Sequence, residues 1–391
     1  MTAPAPGYPP AASGLRGEIV AFALTLAILV GLAGAAPLLF HPATRQADTP
    51  TVTGLVVRVV DDHVQPGARG AERTRVLEVA VEGRVVTVEE QSAAGEVSLV
   101  PPRAGDSVLV QSARGPDGQP RYYIVDHVRS RVLWLFAALF AALVVFVGRW
   151  HGVRSLVSLG VTYLVLERFI VPGVLSGYSP LLVSMIGGVG IMASTLALAH
   201  GLDRKSGAAI GGTALALLVI VILSQVAIAA AKLTGLVGDD EASTVFVLFG
   251  GAIDARGLLL SGILIGALGA LDDVTMTQAS AVFELHDANP ALPARALYER
   301  GMRIGRDHIA SIVNTLVLAY AGASMPLLVI LASQTEGVGT LVNREFLASE
   351  VVRTVVGSIG IVAAVPLTTA LAAMLAGEPR RVAPGAPLAA P

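Results

Sequence analysis

The chain has 391 residues with a net charge of −2; 54% are hydrophobic and only 14% charged, against the roughly 25% charged of a soluble domain. With a mean hydropathy of +0.70, this is the composition of a membrane protein. There is no cysteine, which excludes disulfides, zinc–thiolate sites and thiol nucleophiles, and no basic tract or aromatic–basic interleaving points to nucleic acid.

Eight apolar stretches approach the ~20 residues that cross a bilayer: about 19–40, 132–148, 155–175, 180–199, 208–231, 257–276, 309–332 and 350–376. "GLAGAA" at the end of the first offers small residues for signal-peptide cleavage. Its apolar core is longer than a signal peptide needs, which favours a retained helix. Residues 1–18 read as a disordered N-terminus and 377–391 as a disordered C-terminus, both rich in Pro, Ala and Gly.

Residues 48–130 have a different texture. "TVTGLVVRVV", "TRVLEVAVEG", "RVVTVEEQ", "DSVLVQSA" and "RYYIVDHV" are short β-branched runs, and "QPGARG", "PPRAGD" and "GPDGQP" supply turns between them. Five strands in this length predict a small all-β domain, an OB-like barrel or a sandwich, inserted after the first helix. It is either a cap that packs on the helices or a module that binds an envelope protein.

Arginine sets the expected orientation. Arg149 and Arg154, then Arg204 and Lys205, then Arg295, Arg300, Arg303 and Arg306, and last Arg380 and Arg381 follow alternate spans, whereas "SGYSP" on the other side has no basic residue. The positive-inside rule then places both termini in the cytoplasm and residues 48–130 outside. The fold class is therefore an α-helical polytopic protein of a bacterial cytoplasmic membrane, with about eight transmembrane helices. Seven of them form the domain 132–376.

The polar residues within the spans are the candidates for function. In "LDDVTMTQASAVFEL", Asp273, Thr277, Ser280 and Glu284 fall at i, i+4, i+7 and i+11, one face of a helix, with Asp272 beside it. A charge at mid-bilayer costs ~2.5–3.5 kcal/mol on insertion scales. Two adjacent carboxylates there suit carrying a proton or coordinating a cation. The alternative is that the span ends near Leu271 and the aspartates cap an interfacial helix. On the next helix Asp307, Ser311 and Asn314 share a face, with His308 adjoining; Asn314 lies deep enough to need a partner, either a neighbouring helix or a substrate. The expectation is that Asp272 and Asp273 are buried and face Asp307 and Asn314. Gly322, Pro326 and Pro366 are possible bends. Glu350 and Arg353 are spaced to pair on the last span, and Glu167 with Arg168 sits near the same edge, so the two pairs meet if their helices are neighbours. His200 and Gln225 read as structural.

"LDDVTMTQASAVFEL", "IGRDHIASIVNTLVLAYAGASMPLLVIL" and "EVVRTVVGSIGIVAAVPLTTALAA" resemble the YibE/F family of bacterial multi-pass membrane proteins. "FIVPGVLSGYSPLLVSMIGG" and "GLDRKSGAAIGGTALALLV" are similar to that family's earlier helices. The resemblance covers about residues 130–376. The doubled aspartate with Gln278 is similar to the actinobacterial branch; other members keep one Asp here, which makes Asp273 the better candidate. The exterior β-segment fits the larger, YibE-like members. The resemblance brings no established biochemical activity.

Two functions follow as expectations. The first is an ion- or proton-coupled, transporter-like component using the carboxylates, with a faint parallel repeat between "GLDRKSGAAIGGTALAL" and "GMRIGRDHIASIVNTLVL". The second is an assembly or sensing factor whose β-domain binds an envelope partner. An enzyme is not expected, because no G-x-S-x-G, H-E-x-x-H or Walker motif is present, Met276 stands where a D-D-x-x-D would need its third aspartate, and "GLVGDD" lacks G-x-G-D spacing. No cofactor is called for, and the sequence leaves a metal undecided. The expected partners are the bilayer, a second copy or an envelope protein, and an unidentified ion or small molecule.

Overall fold

The computed structural model describes residues 51–377 apart from 68–69, 93–100, 115–119, 202, 237–246, 248, 250, 252 and 334–336. The expected first span, with its signal-peptide alternative, lies outside the described residues. So do both expected tails, apart from Gly377. The chain forms two compact units that part between Val147 and Gly148.

In the first unit each of the five β-branched runs is a strand: β1 (Thr51–Gly67), β2 (Gly70–Val81), β3 (Arg84–Ser92), β4 (Ser107–Arg114) and β5 (Pro120–His127). They pair antiparallel in the order β3-β2-β1-β4-β5. The edge strands β3 and β5 also lie against each other, so the sheet curls. Alternation places Val56, Leu77, Val79, Val88, Val108 and Val110 inside. Gly54 lets β1 approach, since a Cβ there would lie 2.5 Å from Val79 Cγ1. Glu82 and Gly83, both at positive φ, make the two-residue β2–β3 turn. Across β1 and β2, Arg58 donates two hydrogen bonds to Glu78, from Nη2 at 2.6 Å and Nε at 2.8 Å. They hold the Glu78 carboxyl below its ordinary value.

Helix α1 (Ser130–Val165) leaves this unit and carries two of the expected spans in one run. Arg149, at φ 48 and ψ −126, breaks it where the units part. A π-turn (Leu166–Ile170) and α2 (Val171–Leu175) complete it. Leu133, Trp134, Phe136, Leu139 and Phe146 are exposed around its first half, the surface a lipid-facing helix needs.

The second unit is built on α3 (Pro180–His200), α4 (Arg204–Ala230), α5 (Ala255–Ala288), α6 (Ala294–Ala323) and α9 (Glu345–Gly377), with short α7 (Met325–Ser333) and α8 (Val338–Leu341) before the last. Five helices among the described residues are long and apolar enough to cross a membrane, where the sequence reading has eight spans. One of the eight lies outside the description, and two share Ser130–Leu175. The expected span 309–332 is divided at Ser324, with Pro326 in the first turn of α7, where a missing N–H is harmless. Pro366, by contrast, stays within α9.

Helix α5 packs against α3, α4, α6 and α9, so it is the axis of the bundle. Glycine notches set the spacing. Gly360 on α9 receives Ile220 of α4, Gly212 on α4 receives Thr368 of α9, and Gly301 and Gly305 on α6 seat Val282, Gln278 and Val365. The notches also fix direction: α3, α5 and α9 run one way, α4 and α6 the other. Asp203 caps α4, its Oδ1 accepting from the Ser206 N–H at 2.7 Å.

Candidate functional site

Around α5 the neighbours α3–α4, α4–α9 and α9–α6 pack on one another, while α3 and α6 make no comparable contact. Among the described residues, one flank of α5 is therefore uncovered. Its exposed residues between the helix ends are Gly262, Gly266, Gly269, Asp273, Thr277 and Glu284, at i, i+4, i+7, i+11, i+15 and i+22, a single stripe. The other spans present lipid-compatible side chains outward: Leu182, Ile186 and Val189 on α3, Leu215, Leu218, Ile222 and Val226 on α4, Val351, Val355 and Ile359 on α9. No large apolar side chain of α5 is exposed. The bundle thus has a groove floored by glycine, hydroxyl and carboxylate, and a groove of that lining is poorly matched to acyl chains.

The helix runs unbroken through both aspartates, so they do not cap an interfacial helix. They diverge because neighbours on a helix point about 100° apart. Asp273 is exposed on the groove floor, and Asp272 is half-buried against α3. Thr195 Oγ1 donates to Asp272 Oδ2 at 3.4 Å. Asp272 Oδ1 is enclosed and has no hydrogen-bond partner. Among the described residues no cation pairs with either aspartate. A carboxylate so placed is neutralised in one of two ways, by a proton or by a bound cation.

Thr277 and Glu284 lie on the exposed stripe and Ser280 is half-buried beside it, so the face read from the sequence exists but points outward. Asp307, Ser311 and Asn314 are exposed on α6, with His308 half-buried. Asn314 comes nine residues after Gly305, the residue seated on Gln278; at about 100° per residue it is half a turn away from α5. Asp272 and Asp273 therefore do not face Asp307 and Asn314, and Asp272 turns to Thr195 instead. Glu350 and Arg353 pair at 3.2 Å, half-buried, and Glu350 accepts from Ser324 Oγ at 3.4 Å beside the α6–α7 break. Glu167 and Arg168 approach only to 4.0 Å, on a π-turn that packs against α3. The two pairs are not brought together.

The sequence reading gave no fastening role to the residues that hold α5, Gln278 having entered it only through the family resemblance. Thr213 and Thr275 share a buried hydroxyl–hydroxyl bond of 2.8 Å between α4 and α5. Gln278 Nε2 donates to Gly301 O and to Thr369 Oγ1, both at 2.8 Å, which ties α5 to α6 and α9. Asp272, Thr275 and Gln278 recur at i, i+3 and i+6 amid apolar neighbours. That spacing is the signal that separates the packed polar face from the open one.

A polytopic α-helical membrane protein is the class these spans, the lipid-compatible exteriors and the polar groove define. The family model described as YibE/F-like protein matches residues 136–378, more than half of the chain. The chain belongs to that family. No curated protein and no solved structure matches it.

Proposed function

We propose that the chain is an ion- or proton-coupled transport component of the bacterial cytoplasmic membrane, with the open flank of α5 as its water-filled path and Asp272 as the group that takes up a proton or a monovalent cation. The observation that carries this reading is the central helix, whose only stripe left uncovered by the described residues is glycine, hydroxyl and carboxylate while α3, α4 and α9 turn apolar side chains outward. Asp272 borders that stripe with one oxygen on Thr195 and the other unpartnered. Asp273, on the floor, is the entry carboxylate. Arg204, Lys205 and the arginines of α6 favour the cytoplasm for the ends they mark, with the β-unit outside.

The test is flux in proteoliposomes. A pH-sensitive dye and a sodium- or potassium-sensitive dye report movement under imposed proton and cation gradients. The proposal expects movement with the wild type that falls at least tenfold in Asp272→Asn and less in Asp273→Asn. Absence of flux under every gradient, or Asp272→Asn equal to wild type at equal protein density, overturns it.

A second reading is supported by the β-unit. We read its curled five-stranded sheet as OB-like. On its outer face Leu55, Ala80 and Val85 stand in one cross-strand row, with exposed Val57 and Val60 further along β1. An apolar row of this kind suits an envelope protein partner. In-cell cross-linking from this face should yield one defined adduct that Val85→Glu removes; no adduct from either form would end that reading.

A further inference from the structure

The Thr195 hydroxyl has one hydrogen and two oxygens in front of it. Met192 O, one turn back on α3, lies at 3.1 Å, and Asp272 Oδ2 on α5 lies at 3.4 Å. A hydroxyl donates once but also accepts, so both contacts are served at once in only one protonation state. If Asp272 is an acid, its O–H donates to Thr195 Oγ1, and the Thr195 O–H donates to Met192 O. If Asp272 is a carboxylate, the hydroxyl must abandon Met192 O to reach it. A carboxylate anion draws a hydroxyl in to about 2.5–2.7 Å, yet here the hydroxyl sits nearer to the backbone carbonyl. The geometry is that of the acid.

A metal cation is poorly provided for at the same place. One that sheds its water needs a shell of protein oxygens in exchange. Both α3 and α5 are helical on either side of Thr195 and Asp272, so their carbonyls are spent. Ser194 Oγ turns back to Gly190 O and Ile191 O, and Thr275 Oγ1 is taken by Leu271 O and Thr213. Among the described residues that leaves two carboxylate oxygens and one hydroxyl, with Asp272 Oδ1 enclosed. Asp273 points about 100° away. It is also the only charged group that acts on Asp272, since none on α3, α4, α6 or α9 does among the described residues.

We propose that the ligand of Asp272 is a proton, not a metal cation, and that Thr195 is the positioning residue that holds it. The inference rests on the transport reading for its purpose and names the ion that reading leaves open. When Asp272 gives its proton to a water of the groove, Oδ2 keeps the electron pair, and the Thr195 hydrogen turns from Met192 O to that oxygen. When the proton returns, the hydrogen turns back. One hydroxyl therefore serves both states by rotation about a single bond, with neither helix displaced.

Infrared difference spectroscopy of the full chain in nanodiscs reads the C=O band of a protonated carboxyl group. Subtracting Asp272→Asn from wild type should leave one such band, which titrates with pH. Its midpoint should stay fixed when sodium or potassium chloride replaces choline chloride. Thr195→Val keeps the shape of the side chain without the hydroxyl and should shift the band; Thr195→Ser should restore it, with all variants eluting as monodisperse protein. No band in the difference at any pH, a midpoint that falls as sodium or potassium rises, or a band unmoved by Thr195→Val overturns the proposal. The band is read without flux. A proton held at Asp272 in a protein that moves no ion would sustain this inference and overturn the transport reading. Sodium-driven flux with a sodium-dependent midpoint would do the reverse.

Discussion

Replacing Gly212 by alanine probes the closest helix contact in the bundle. A Cβ on Gly212 would overlap Thr368 Oγ1 and lie 2.8 Å from Thr368 Cβ and 3.0 Å from its Cα. Rotating the threonine relieves the first contact but not the two others, so α4 and α9 must move apart. Overpacking of this kind costs about 1–3 kcal/mol, while alanine returns up to about 1 kcal/mol of helix propensity. Gly262→Ala on the open flank of α5 supplies the reference, since nothing lies within 4 Å of a Cβ there; it gains the propensity and meets no clash. The difference between the two variants isolates the overlap. At roughly 2–4 °C per kcal/mol for a domain of this size, Gly212→Ala should melt roughly 2–12 °C below Gly262→Ala in the same detergent. Adding Thr368→Gly to Gly212→Ala moves the notch to the other helix and should recover part of the loss. Equal melting temperatures for the two single variants would refute the close α4–α9 contact.

Gln278→Leu keeps the volume of the side chain but removes the donor shared by Gly301 O and Thr369 Oγ1. It should destabilise the bundle by about 1–3 kcal/mol, measurable by denaturant titration in micelles. In the β-unit, the two hydrogen bonds from Arg58 hold Glu78 below its ordinary value of 4.5. The stabilisation is therefore complete above that pH and is lost as pH falls through the depressed value of the folded protein. Strand signals of β1 and β2 in nanodisc NMR should broaden at higher pH in Arg58→Ala than in wild type; identical acid profiles would contradict the linkage.

Much of this architecture was legible in the sequence because two periods are hard to mistake. The five β-branched runs became the five strands, and 180–199, 208–231 and 350–376 lie on α3, α4 and α9. Two boundaries were not legible. The sequence reading closes a span at 276 although α5 continues to Ala288, because the second half of the helix is amphipathic. It opens a span at 309 although α6 begins at Ala294, because Arg295, Glu299, Arg300 and Arg303 read as a connection while Leu297, Gly301 and Gly305 bury its other face. The carboxylate stripe was found, yet its direction depended on which flank of α5 lacks a neighbour. That is a property of the order of helices in space, which no local pattern carries. The sequence reading favours Asp273 of the two aspartates; the position of Thr195, 77 residues before Asp272, makes Asp272 the half-buried partner.

The most direct test of the groove is the reactivity of single thiols with a membrane-impermeant maleimide in intact vesicles, at Gly269→Cys and Asp273→Cys on the α5 stripe and at Leu218→Cys on the lipid-facing side of α4. A wet groove predicts rapid labelling at both α5 positions and little at Leu218→Cys. Labelling of Asp273→Cys no faster than Leu218→Cys would mean that the flank of α5 is dry, and the transport account would fall with it.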